Sequence, residues 1–213
     1  ITVKSADTSL EYVKVNEIEA EKLDESTYRV FVEAEDISAQ VSMKATRDLA
    51  TVNANVGENQ EVTGNPINFE KILMEESTEV PFKVTAESGR IKEYVLIIMK
   101  KSEDNTIGNV FVNDEEVVKD EETGRYKVKV KETATSALVK VVANNEFAKV
   151  RINVFDEEVS QSERKVILDN FKVTTVQITM ISQTGKTNVE YLDIEKISTS
   201  VKVSAITVDN IDV

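Results

Sequence analysis

The side chains best able to do chemistry in this chain are carboxylates. They gather at Asp114-Glu115-Glu116, at Asp120-Glu121-Glu122, at Asp156-Glu157-Glu158, and at Asp209 with Asp212. Glu103, Asp104 and Asn105 add a smaller group within the polar stretch KKSEDNT at 100–106. Two chemistries use such groups. Calcium takes six to eight oxygens from converging loops. A pair of carboxylates facing each other across a cleft hydrolyses glycosides. Neither follows from acidity alone, because a bare acidic run is more often a solvated loop than a site. The expectation is therefore no metal, with Glu103, Asp104 and Asn105 as the candidates to examine. Calcium is not favoured, and no other cofactor is expected.

What is missing narrows the chemistry further. The chain has no histidine and no cysteine. The commonest general base, the commonest metal ligand and the thiolate sites go with them. Six glycines form no phosphate-cradling loop. No catalytic residue is expected, and the chain reads as a non-enzyme. Net charge is −13, and both halves are acidic. That field repels phosphate backbones and anionic lipid, so nucleic acid is not an expected partner. The longest apolar run is YVLIIM at 94–99, too short to cross a bilayer, which takes about 20 residues as a helix. Membrane insertion is not expected, and no signal-peptide pattern opens the chain.

The elements that must carry these residues are strands. TYRVFVE sets Tyr28, Val30 and Val32 on one face, and RYKVKVK does the same with Tyr126, Val128 and Val130. SAQVSMKA aligns Ala39, Val41, Met43 and Ala45, and SALVKVVA aligns Ala137, Val139, Val141 and Ala143. This period-two alternation marks half-buried strands. It recurs in pairs: VKVN ending at Asn16 returns as VFVN ending at Asn113, TVNANV as KVRINV, EVPFKVTAE as TVQITMI, and EYVLI at 93–97 as EYLDI at 190–194. The offset stays near 97 residues, so the chain is two copies of one module, each close to the common domain size.

Helix is poorly supported. NEIEAEKLDES at 16–26 is the best candidate but lacks a clean apolar stripe, and NFEKILMEES at 68–77 has room for a turn or two. The reading is all-β: two tandem Ig-like or cadherin-like antiparallel β-sandwiches of about seven strands each. Residues 1–7 are a leader or the end of a preceding repeat, 8–102 the first repeat and 103–198 the second. Residues 199–213 open a third repeat or add an edge strand.

The order of the motifs resembles the bacterial cadherin-like β-sandwich domain, a module repeated in clostridial-type surface and secreted proteins. Its opening Leu-x-x-Leu/Val-x-Val plus a polar residue matches Leu10, Val13, Val15 and Asn16, then Ile107, Val110, Val112 and Asn113. Its Tyr-x-Val-x-Val matches Tyr28 and Tyr126 with their following valines, and its turn glycine and Tyr-initiated strand match Gly89 with Tyr94 and Gly185 with Tyr191. The family's Pro-Phe pair before the first Tyr strand is absent, as is its glycine before the sixth strand. True cadherins place calcium ligands at domain joints, but no DxNDN or DRE element appears here.

The resemblance implies a secreted or cell-surface bacterial protein. The function it implies is a non-catalytic structural, adhesion or spacer module, whose partners are other domains of the same polypeptide and a cell-surface glycan or protein. The alternative is a carbohydrate-binding accessory module of an extracellular enzyme. For that alternative the candidate ligand-binding residues are outward-parity aromatics: Phe31, Phe111, Tyr12 and Phe155, with Phe171 beside them.

Overall fold

A computed structural model describes residues 3–57, 60–155, 157–168, 172–197, 207–208 and 211–212. The chain divides into two compact units, Ile1–Lys101 and Ser102–Val213. Both are all-β sandwiches, two sheets around one apolar core.

The first unit holds β1 (Leu10–Val15), β2 (Ile18–Glu19), β3 (Glu21–Lys22), β4 (Thr27–Val32), β5 (Ser38–Ala45), β6 (Thr51–Gly57), β7 (Gln60–Gly64), β8 (Ile67–Ile72), β9 (Ser77–Thr85) and β10 (Ile91–Lys100). They form a four-stranded sheet in the order β2-β1-β5-β8 and a six-stranded sheet in the order β3-β4-β10-β9-β6-β7. The second unit holds β11 (Ile107–Val112), β12 (Glu115–Val117), β13 (Tyr126–Lys131), β14 (Ser136–Ala143), β15 (Lys149–Val154), β16 (Glu157–Val159), β17 (Glu163–Ile167), β18 (Val173–Ile181) and β19 (Thr187–Ile197). Its sheets run β12-β11-β14-β17 and β13-β19-β18-β15-β16. A short hairpin of β20 (Thr207–Val208) and β21 (Ile211–Asp212) follows.

Pairing departs from a purely antiparallel sandwich at one place per unit. β4 runs parallel to β10, and β13 parallel to β19. A parallel pair cannot be closed by a tight hairpin. Everything between its strands serves as the crossover, which threads the chain through both sheets.

Alternating burial follows the sequence pattern. Val13, Val15, Val30, Val32, Val41, Met43, Val80, Phe82, Val84, Leu96 and Ile98 belong to the first core. Val110, Val112, Tyr126, Val139, Val141, Val150, Ile152, Val176, Ile178, Met180, Leu192 and Ile194 belong to the second. Tyr28, Val128 and Val130 are partly buried and pack against the core of their own unit.

Both helix candidates are extended. Residues 16–26 carry a tight turn and then β2 and β3, and 68–77 continue β8 and lead into β9. Ile67 and Phe69 are buried two residues apart, the spacing of a strand, and this outweighs helix propensity in the Glu-rich stretch that follows. No helix occurs among the described residues, and none is long and apolar enough to cross a membrane.

The repeated asparagine has a conformational reason. Asn16 and Glu17 have φ of 47° and 64°, and Asn113 and Asp114 have φ of 51° and 67°. Two successive left-handed residues make the two-residue hairpin loop whose twist suits the flanking strands, and Asn tolerates that region best after Gly. The loops close the pairs Val15–Ile18 and Val112–Glu115. Each side chain also ties the loop to the next strand. Asn16 Oδ1 accepts the Gln40 N–H at 2.8 Å, and Asn113 Oδ1 accepts the Leu138 N–H at 2.9 Å. Asn113→Ala is expected to lower the second unit's stability by about 1–2 kcal/mol, the sum of left-handed strain and a lost hydrogen bond. Asn113→Gly relieves the strain and is expected to lose only the bond. Equal losses for the two variants in urea denaturation would contradict this account.

Candidate functional site

The carboxylates do not converge. Among the described residues no three acidic side chains lie close enough together to hold a metal ion. Asp104 Oδ1 accepts the Thr106 N–H at 2.8 Å and the Thr106 hydroxyl at 2.6 Å. The same device opens the first unit, where Asp7 Oδ1 accepts the Ser9 N–H at 2.9 Å and its hydroxyl at 2.6 Å. These are Asx turns, a carboxylate standing in for a backbone carbonyl at the entry of the first strand. The Thr106 hydroxyl and then its N–H hold the Asp104 carboxyl below the usual carboxylate range. Glu103 pairs with the Lys186 ammonium at 2.6 Å. The Asn105 carbonyl accepts a long hydrogen bond from the Asn188 side-chain amide at 3.5 Å.

The three calcium candidates are thus each engaged within the second unit. Calcium at millimolar concentration is expected to shift the melting temperature by less than about 1 °C. A rise of several degrees that Asp104→Ala removes would establish a site there.

The other acidic runs serve turns and strand pairs. Asp120 Oδ1 accepts the Thr123 hydroxyl at 2.6 Å and its N–H at 2.9 Å, and the Lys127 ammonium lies 3.0 Å away. The Thr123 hydroxyl, Lys127 and the Thr123 N–H together lower its pKa from 3.8 to about 2. A depressed carboxyl stabilises the fold above its unfolded pKa and loses that contribution as pH falls through the folded value. The contribution of Asp120 is therefore complete only above about pH 5, and it is lost as pH falls through about 2. Carbon-detected NMR titration is expected to place the Asp120 carboxyl midpoint near 2; a midpoint at 3.8 would show that the turn is not formed in solution.

Elsewhere, Asp114 is the second residue of the hairpin loop and Glu116 accepts the Asn109 amide at 2.7 Å. Glu157 pairs with Arg164 at 2.6 Å. Asp156 and Asp209 lie outside the described residues, as does Phe171.

The aromatic candidates do not share a surface within a unit. Tyr12 is half-buried on β1 of the four-stranded sheet, with the Lys14 ammonium 5.2 Å from its ring centroid. Phe31 is half-buried on β4 of the six-stranded sheet, with the Arg29 guanidinium 5.3 Å from its ring. Phe111 is half-buried on β11, between Lys140 and Glu116 on the neighbouring strands. Phe155 is 58% exposed just beyond β15, with φ of 50°. No pair of the four forms a flat stacking platform on one sheet.

The outer face of the first unit's six-stranded sheet carries an open groove instead. A groove of about 580 Å³ is lined by Asn53, Asn55, Glu61, Pro81, Lys83, Glu93 and Val95, with Ser26 at one end. It lies over β6, β7, β9 and β10. Asn53, Lys83 and Glu93 stand in one cross-strand row, and Pro81 and Val95 face each other in the next. Sequence reasoning missed these residues, because each by itself is an ordinary outward polar position. The only advance signal was YVLIIM at 94–99, a strand apolar on both faces, which places Val95 outward beside Pro81.

No protein-family model and no curated protein matches the chain. Solved structures do match. One is described as fibronectin(III)-like modules of Clostridium thermocellum CbhA, at 10% identity and a TM-score of 0.34, covering 92% of this chain and 99% of that one. Another is described as Dpr11 IG1 bound to DIP-gamma, at 10% identity and a TM-score of 0.41, covering 83% and 98%. A third is a Bacteroides ovatus mixed-linkage glucan utilization locus protein, SGBP-B, in complex with a mixed-linkage heptasaccharide. It is 10% identical with a TM-score of 0.26, covering 88% and 71%.

Proposed function

We propose that the chain is a non-catalytic structural and adhesion segment, in which two modules of one design space and present neighbouring parts of a secreted or surface protein. The observation that carries this reading is the use made of the chain's special residues. Asp7 and Asp104, Asn16 and Asn113, and Gly89 and Gly185 occupy equivalent turns in the two units, and the glycines share a φ of 87°. Residues that could have formed a reactive centre maintain a repeated frame. A further strand pair extends the pattern: Val208 pairs with Ile211, as Val15 pairs with Ile18. This supports reading 199–213 as the opening of another repeat. The motif order supports placing the module with the bacterial cadherin-like domains.

A mechanical spacer must hold its fold under load. Pulling the chain by its ends in single-molecule force spectroscopy is expected to give two separate unfolding events, each releasing roughly 30 nm, the extended length of about 95 residues. Extension without discrete steps would remove the spacer reading.

A further inference from the structure

We propose that the groove on the six-stranded sheet of the first unit binds a neutral oligosaccharide. The proposal rests on the adhesion half of the reading above and gives it a ligand class and a location.

Three features of the groove point to this ligand. The first is its mixed floor. Pro81 and Val95 pair across β9 and β10 and offer an apolar strip, while Asn53, Lys83 and Glu93 form a hydrogen-bonding row beside it. A sugar ring has the same two-sided character, with C–H groups on its faces and hydroxyls at its rim. The volume of about 580 Å³ lies within the range of small-ligand sites, roughly 300–1,000 Å³.

The second feature is unused bonding capacity of both kinds. Asn53 Nδ2 donates to Glu61 at 2.9 Å and to Thr63 at 2.7 Å, which orients its carbonyl oxygen as an acceptor. Asn55 Oδ1 accepts the Gly57 N–H at 3.2 Å, which leaves its amide nitrogen as a donor. Lys83 and Glu93 stand directly opposite each other, yet among the described residues neither charged group enters an ion pair or a side-chain hydrogen bond. A hydroxyl both donates and accepts, so a polyol can satisfy an ammonium and a carboxylate side by side.

The third feature is what the chemistry rejects. Glu61 and Glu93 against one lysine disfavour an anion. The groove lies on a sheet face, where strand backbones are already paired, so it cannot add a peptide strand as a sheet edge does. Phe82 and Tyr94 also line the groove but are each only 4% exposed, so they offer little aromatic surface to a flat heterocycle.

The second unit supplies an internal control. Where the first unit sets Asn53, Lys83 and Glu93 in a row, the second sets Arg151, Thr179 and Val189. Turn residues recur between the copies and groove residues do not, so the module frame does not require them.

The test uses the full chain. Neutral gluco-, manno-, xylo- and N-acetylglucosamine oligosaccharides of four to six sugars are screened by array and then titrated by calorimetry, with polygalacturonate as the anionic contrast. At least one neutral series is expected to bind. Asn55→Ala and Lys83→Ala are each expected to weaken it about tenfold or more, the usual cost of losing one ligand hydrogen bond to a polar or charged group. Both side chains sit on the outer face, so melting temperatures should hold. Lys165→Ala, at an exposed position of the second unit, is expected to leave affinity unchanged. Absence of neutral-sugar binding at millimolar concentration, stronger binding of polygalacturonate, or binding indifferent to both groove variants would each overturn the proposal. Two intact unfolding steps in the force experiment would then leave the spacer reading standing without the groove.

Discussion

Val41→Asp is expected to abolish folding of the first unit. Val41 is 1% exposed on β5, an inner strand of the four-stranded sheet, with Val15 on one side and Phe69 on the other. Its side chain points into a core of aliphatic and aromatic groups that offers a carboxylate no partner. Burying an unpaired charge there costs several kcal/mol after the group has relieved itself by taking up a proton. The whole stability of a domain this size is about 5–15 kcal/mol. A loss of about 4–5 kcal/mol or more therefore consumes most of it, whereas typical substitutions cost about 1 kcal/mol. Each unit has its own core, so the transition of the second is expected to remain.

Gln40, one residue earlier, is exposed and pairs with Glu70 on β8. Gln40→Lys is expected to change stability by less than about 0.5 kcal/mol, because it places a surface cation opposite a carboxylate. The two variants read the parity of one strand from both sides. Urea denaturation followed by circular dichroism measures them. A Val41→Asp variant within about 0.5 kcal/mol of the parent would mean that β5 presents its other face to the core.

That parity was readable in the sequence for a physical reason. A strand buried on one face must alternate, so Val41, Met43 and Ala45 announce both their element and its orientation. The repeat doubled the signal, since Val139 and Val141 say the same thing again. Other features were hidden because alternation does not say which group a polar side chain bonds. Asp104 reads as a potential ligand until Thr106 is seen to take both its hydrogen bonds. The groove draws on β6, β7, β9 and β10, and nothing in the local pattern around Asn55 or Lys83 sets either apart from a solvated residue. The short β2, β3, β12 and β16 strands were also missed, because two or three residues cannot show a period. The parallel pairing of β4 with β10 was hidden too, since alternation fixes a face but not a neighbour.

Leu192→Ala is expected to cost about 2–5 kcal/mol, and Tyr191→Ala no more than about 1 kcal/mol. The sequence leaves the inward face open, because Leu192 and Ile194 have the opposite parity to Tyr191. EYLDI at 190–194 lines up with EYVLI at 93–97, which sets Tyr191 where the buried Tyr94 stands. The strand ladder shows a slip of one residue. Leu96 lies between Val80 and Tyr28, and Leu192 lies between the equivalent Val176 and Tyr126. Leu192 is fully buried, and Tyr191 is 42% exposed with its ring under the Arg125 guanidinium at 4.9 Å.

The residue in Tyr94's place is Glu190, opposite Ile178 as Tyr94 is opposite Phe82. In the first unit the Tyr94 ring stacks on Phe82 at 5.2 Å, and its hydroxyl donates to the Thr8 carbonyl at 2.8 Å. In the second, Lys119 bonds Glu190 at 2.8 Å and lies 5.3 Å from the Tyr126 ring centroid. A cation between a carboxylate and an aromatic face takes the position of a ring-on-ring contact, at a site open enough that the charges keep contact with water. Core parity is thereby kept at Leu192 and Ile194 although the tyrosine has shifted outward. If Tyr191→Ala proved the costlier variant in thermal unfolding, the ladder of β19 would be in the register that the sequence match implies.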